Sequence, residues 1–284
     1  MDRTNDRSSQ EDEEEGAKDD TYLDEQQKET PTSFQLSKRQ QKKLLKKEKW
    51  IANKDERKQR EREKNKLKRL AKIQAGVDLG PPRKLLKSIT MLSSACKQRI
   101  VIDMSFDSYM NEKDQCKAIK QIHRSYSCNR RTENPLQFYV TSFTGASLKI
   151  MEKNNGFRNW DVNFTDDSYL NKFPNNEIVY LTSESENVIE KLDESKVYII
   201  GGLVDHNSHK GLCHRLAVEN KVAHGRLPID EYLEMKTRRV LTIDHVFQIM
   251  LAVASERKTW KDSFLSIIPA RKGASELKVD TDQD

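Results

Sequence analysis

Cysteine is scarce in this chain: four in 284 residues, and none in a CxxC pair. Cys96, Cys116, Cys128 and Cys213 thus offer no zinc hook and no disulfide framework. With no signal peptide in view, they read as reduced thiols of an intracellular protein. Long apolar runs are missing as well. None approaches the roughly 20 residues a membrane helix needs, so no membrane partner is expected. Hydrophobic residues make up only 35% of the chain, which is low for one globular unit. The shortage is local. Residues 1–75 and 270–284 are very polar, whereas 87–269 has ordinary globular content and enough length for one α/β domain. From Ser37 to Ala75 glycine and proline are both absent, so nothing there stops a helix.

What is present is charge, unevenly divided. The net charge is +6. Residues 1–30 carry twelve Asp or Glu against four Lys or Arg, while 38–72 carries seventeen Lys or Arg against five Asp or Glu. One compact basic block points to a polyanion, most often nucleic acid. The acidic start, with Glu11 to Glu15 interrupted only by Asp12, makes a poor mitochondrial presequence.

These contrasts divide the chain. Residues 1–36 read as a disordered acidic tail and 37–75 as a long, solvated, basic helical extension. Gly76, Gly80, Pro81 and Pro82 open a linker over 76–94. The α/β domain is expected over 95–274, followed by a disordered tail at 275–284. Within the domain, strands are expected at 98–106, 136–143, 177–185, 196–204 and 222–230. A helix is expected at 114–131, and another after the third strand, capped by Ser185. The stretch 239–256 reads as a strand end turning into an amphipathic helix. Alternating strand and helix signals imply a parallel sheet covered on both faces.

The densest cluster of reactive side chains is "GGLVDHNSHKGLCH", Gly201 to His214. His206, His209, Cys213 and His214 are potential metal ligands. Structural zinc, however, pairs two short ligand hooks across a spacer, and no second hook follows. No metal is therefore expected. The stretch is not a phosphate loop either, since it lacks the GxxxxGK[ST] order, and the chain has no GxGxxG after its first strand and no GxSxG. What remains is position. Gly201 and Gly202 sit at the carboxyl end of a buried strand, where glycine permits close approach to the backbone. Ligands of open α/β sheets bind beyond such ends. Asp205 would project there, or act as a turn or cap aspartate.

Several stretches together resemble one family. They are "VIDMSFD" (101–107), "QIHRSY" (121–126), "QFYVTSFTG" (137–145), "VYLTSES" (179–185), "VYIIGGLVDHNSHKGLC" (197–213), "RLPIDEY" (226–232), "VLTIDHVFQI" (240–249) and "IIPARKGA" (267–274). In order over about 95–274, they are similar to the SPOUT-class tRNA methyltransferases that modify N1 of guanine at position 9, most of all the eukaryotic nuclear and cytoplasmic branch. The resemblance implies a parallel sheet flanked by helices whose C-terminal segment forms a deep trefoil knot. It implies S-adenosylmethionine as cofactor, tRNA as partner, a monomeric state, and a location in nucleus and cytoplasm.

The resemblance also implies site residues. Cofactor walls would be Leu181, Thr182, Gly201, Gly202, Val204, Asp205, Lys210, Cys213, Leu227, Pro228, Leu241, Thr242 and His245. Asp205 would assist N1 deprotonation, Asp103 would be a second carboxylate, and Gln121 would hydrogen-bond the guanine edge. Lys42, Lys43, Lys46, Lys47, Arg57 and Arg60 of the basic extension would hold tRNA phosphates, as would Arg124, Arg130 and Arg131. Trp160, Trp260 and Phe247 read as packing residues, and Trp50 as either a stacking group or a helix anchor.

Overall fold

The computed structural model describes residues 37–77, 82–153, 156–206, 208–235, 240–269 and 272–276. The expected acidic tail at 1–36 lies outside these. The chain divides into two compact units at residues 78/79.

The first unit holds two helices, α1 (Lys38–Ala52) and α2 (Lys54–Gln74), where one continuous helix was expected. Ser37 starts α1 with a reciprocal capping box: its side chain accepts from the Gln40 amide and the Gln40 side chain accepts from the Ser37 amide. Asn53 closes α1 by donating to the Lys49 and Ile51 carbonyls and precedes α2. Neither helix has a buried residue, so lysine-rich helix propensity, not packing, accounts for them.

The second unit opens with α3 (Arg83–Ser88), inside the stretch expected to be linker. The linker expectation fails again at Met91, which is buried in the core. Its amide donates to Asp161 at 2.6 Å and its carbonyl accepts from the Gln137 side chain at 2.8 Å. An apolar side chain with a satisfied backbone belongs to the domain, not to a spacer.

Six strands then form one sheet: β1 (Arg99–Asp103), β2 (Gln137–Thr141), β3 (Asn163–Phe164), β4 (Ile178–Leu181), β5 (Val197–Gly201) and β6 (Ala223–Gly225). Their order is β3-β2-β1-β5-β4-β6, and every pairing is parallel. Alternation along the strands sends residues to two cores. Ile100, Ile102, Tyr198 and Ile200 face one, while Val101, Val197 and Ile199 face the other. This is why "VYII" can be continuously apolar: both sides are covered.

The first core is closed by α4 (Glu112–Asn129), α5 (Gly145–Glu152), α8 (Ile243–Ala254) and α9 (Trp260–Ile267). The Asn111 side chain caps α4 by accepting from the Lys113 and Asp114 amides. Phe247 of α8 is fully buried against Phe138, and the Trp260 indole donates to the Glu190 carbonyl at 2.7 Å. Trp160 stacks on Tyr126 with centroids 4.4 Å apart. The second core takes Tyr169 of α6 (Tyr169–Lys172) and Ala217 of α7 (Leu212–Glu219).

Local expectations fail in three further places. No helix follows β4; Ser185 instead receives the Asn187 amide and contacts His224. Val240–Thr242 forms no strand before α8. The expected C-terminal tail begins inside β8 (Ala274–Glu276), which pairs antiparallel with β7 (Leu233–Met235); the tail residues 277–284 lie outside the described residues.

Candidate functional site

A cleft opens beyond the carboxyl ends of β4, β5 and β6, where an open parallel sheet places its ligands. Of the residues expected there, Leu181, Thr182, Gly201, Asp205, Lys210, Cys213, Leu227 and Leu241 line it. Ser183, Glu184, Leu203, His209, Arg226, Ile229 and Val246 also contribute, and sequence reasoning missed them. All lie inside the quoted motifs, so position alone could have found them. Leu181, Leu203, Leu227, Leu241 and Val246 make an apolar wall. On the polar side, Glu184 accepts from the Thr182 and Ser183 hydroxyls at 2.8 and 3.1 Å.

The two glycines separate in role. Gly201 lines the cleft, yet a Cβ there would come within 2.8 Å of the Cys213 sulfur and 3.3 Å of the Tyr180 hydroxyl. Gly202 is outside the lining. Its amide donates to the Asp103 carbonyl at 2.7 Å, and a Cβ would meet that carbonyl oxygen and the Met104 sulfur at 2.5 Å each. Gly202 is therefore required by its close contact with β1.

Val204, Pro228, Thr242 and His245 likewise do not line the cleft. Pro228 is buried between two lining residues. The Val204 amide approaches the Met110 sulfur at 3.3 Å. Thr242 sits at the α8 N-terminus, where its hydroxyl donates to Asp244.

Asp205 is half-buried at the cleft wall. Its Oδ2 accepts from the His209 amide at 2.7 Å, and its carbonyl accepts from Ser208. His206, which follows, is in the left-handed region at φ +53°. Asp205 is thus both a turn aspartate and a cleft carboxylate; the two readings are compatible.

Asp103 and Gln121 are placed elsewhere. Asp103 ends β1, is 1% exposed and does not line the cleft. Burial raises its pKa above the ordinary 3.8, although Ser105 and Tyr180 donate to the carboxylate and oppose the shift. It lies beneath the strand ends, held by Ser105 and Tyr180 and outside the cleft lining. Gln121 lies on α4, 7% exposed, with its amide oxygen unpaired among the described residues. Cys213 carries a thiol pushed up to about 12, mainly by burial and next by Asp103. It remains a protonated, apolar wall group, not a nucleophile.

The cationic residues fall on both units. Lys42, Lys43, Lys46, Lys47, Arg57 and Arg60 are all exposed on α1 and α2. The Arg57 guanidinium lies 4.4 Å over Trp50, and Arg60 pairs with Glu56 at 2.9 Å. On α4, Arg124 is exposed and pairs with buried Asp244 at 3.1 Å, fastening α4 to α8. Arg130 lies 5.6 Å over Tyr126, and Arg131 is exposed.

An all-parallel α/β sheet with a largely apolar cleft at its strand ends and the carboxylates of Glu184, Asp205 and Asp230 on the wall defines a class: α/β proteins that hold a small ligand beyond the sheet. Residues 34–273 match the model of the tRNA (guanine(9)-N(1))-methyltransferase TRM10/TRM10A family, and the chain belongs to that family. It is 44% identical over 178 residues to the human tRNA methyltransferase 10 homolog A, covering 62% of this chain and 52% of the human one. It is 45% identical over 187 residues to the Bos taurus homolog A, covering 65% of this chain and 54% of that protein. The chain thus spans about half the length of these vertebrate relatives. A Schizosaccharomyces pombe tRNA (guanine(9)-N1)-methyltransferase is 36% identical over 268 residues, with 90% and 87% covered. The crystal structure of the full-length spTrm10–SAH complex superposes with a TM-score of 0.57 at 36% identity, covering 62% of this chain and 97% of that one.

Proposed function

We propose that this chain is an S-adenosylmethionine-dependent tRNA methyltransferase that forms N1-methylguanosine at position 9. The observation that carries the reading is the cleft itself: an apolar wall with Asp205 at its edge, built from the segments that mark the family. The spTrm10 complex with SAH supports the cofactor class. The residues present suit such a cofactor. Leu181, Leu203, Leu227 and Leu241 offer an apolar surface for adenine, and Glu184 offers an acceptor for ribose hydroxyls. When bound, the cofactor supplies a methyl already activated by its sulfonium, so transfer itself requires no metal.

The chain's own task is the nucleophile. Guanine N1 carries a proton at neutral pH and loses it as attack proceeds. Asp205 accepts that proton, directly or through water, or orients the base and stabilises developing charge. A carboxylate is a weak base for so weak an acid, which weights its share toward positioning. Arg124 on α4, with Arg130 and Arg131 just past its C-terminus, holds tRNA phosphates, as do the cations of the basic helices. Position 9 lies inside the folded tRNA, so the base is exposed or flipped before transfer.

Family membership supports a deep trefoil knot in the C-terminal segment. A monomer is expected, and the lysine-rich segment fits a nuclear and cytoplasmic location. The deciding experiment is methylation of tRNA transcripts carrying guanine or adenine at position 9, followed by nucleoside analysis. N1-methylguanosine only with the guanine transcript is expected. Label on another position, on adenine alone, or on neither transcript refutes the reading.

A further inference from the structure

Glu186, His214 and His224 lie far apart in sequence: in the loop after β4, in the first turn of α7, and in β6. Folding brings one ligand atom from each within 4.8 Å of the others. The two imidazoles meet edge to face, 4.5 Å between centroids. His214 Nε2 is shielded from solvent and makes no hydrogen bond among the described residues, and Glu186 Oε2 lies 4.0 Å from it. A shielded imidazole nitrogen left unpaired is costly unless something occupies its lone pair. Ser185 Oγ holds His224 Nδ1 at 2.9 Å, so Nε2 is the nitrogen left to ligate. This is the outer-partner arrangement that fixes ring and tautomer in metal sites.

We propose that Glu186, His214 and His224 form a binding site for a divalent transition-metal cation of the zinc type. Two imidazoles and one carboxylate are a zinc donor set, whereas magnesium and calcium prefer oxygen ligands. Metal–ligand bonds of about 2.0–2.2 Å imply ligand spacings of roughly 3.3–3.6 Å, so the three groups must contract. Glu186, with its side chain 75% exposed, has room to move inward. Three protein ligands leave a fourth position for water.

The case against a metal drawn from His206, His209, Cys213 and His214 still holds for that quartet. His206 lies against Asp114 and Lys117, His209 packs edge-on to Tyr109, and the Cys213 sulfur lies beneath Gly201. Only His214 joins the new trio, whose other members come from outside that stretch. The site also abuts the cleft, because Ser183, Glu184, Leu212, Cys213 and Arg226 line it. A bound cation would clamp the three elements carrying those residues.

The test is titration of chelator-stripped, full-length protein with zinc chloride by calorimetry, and with cobalt chloride by visible absorption. One zinc per chain at micromolar affinity or tighter is expected, with a cobalt d–d band and a higher melting temperature. Glu186→Gln, His214→Ala and His224→Ala should each weaken binding at least about tenfold, and His206→Ala should not. Glu186→Gln alters an exposed side chain, so a normal melting curve in the absence of metal separates lost ligation from misfolding. No binding below millimolar zinc, or stoichiometric zinc that survives in the Glu186→Gln/His224→Ala double variant, overturns the proposal.

Discussion

The two units of this chain are held together by different physics. Helices α1 and α2 bury nothing and owe their form to propensity, a capping box and local charge pairs. The sheet unit buries two apolar cores, and its strands satisfy their backbone groups across the sheet. In the helical unit any lysine can be exchanged with little consequence for structure, because none is buried. In the sheet unit a single methyl group matters, because backbones and side chains meet closely there.

The largest effect that contrast predicts is at Gly202. Gly202→Ala puts a Cβ 2.5 Å from a backbone oxygen, which a flexible side chain cannot relieve. A loss of about 3 kcal/mol, or roughly 10 °C in melting temperature, is expected. A calorimetric melt within about 1 °C of wild type would remove the packing argument. Next comes deletion of residues 1–77. It should cut tRNA affinity by about a hundredfold at moderate salt and flatten the salt dependence, with cofactor binding unchanged. Equal affinity with and without the helices, measured by filter binding across a salt series, would erase the functional division between the units.

A smaller effect is expected at Asp205. Asp205→Asn should slow single-turnover methylation about tenfold or more, with cofactor affinity within about twofold. Full activity across pH would dismiss it as a significant catalyst. The smallest concerns Asp103. Its pKa is raised from 3.8 by burial, so the folded state binds that proton more tightly than the unfolded chain does. The resulting stabilisation is fully present below pH 3.8 and is lost as pH rises through the raised folded value. Asp103→Asn keeps an acceptor for Ser105 and Tyr180 and removes the titration. A flatter stability profile above pH 3.8, with less than about 1 kcal/mol change at neutral pH, is expected from denaturant melts.

Much of this was legible beforehand. Continuous "VYII" between polar flanks marked β5, and the stretch 114–131 marked the helix that proves to be α4, because strand and helix signals are local; its Asn111 cap was not anticipated. The cleft was legible through segments: most residues expected from "LTS" and "GGLVDHNSHKGLC" line it. What was not legible was what a side chain meets. Ser185 looked like a helix cap and instead holds His224. Asp103 resembled a catalytic carboxylate and is buried under Tyr180 and Ser105. Thr242 resembled a cofactor contact and serves Asp244. Each depends on a partner many residues away or on burial, and neither has a period in the sequence.

By itself, then, the sequence determined the partition of charge, the alternation of strands and helices, and the family, because composition, periodicity and motif order are written along the chain. Only the tertiary structure decided that Gly202 packs tightly against β1, that Asp205 is both turn and wall, and that His214 faces His224 and Glu186. Those outcomes follow from strand order and register, which set distances between residues that the sequence lists far apart.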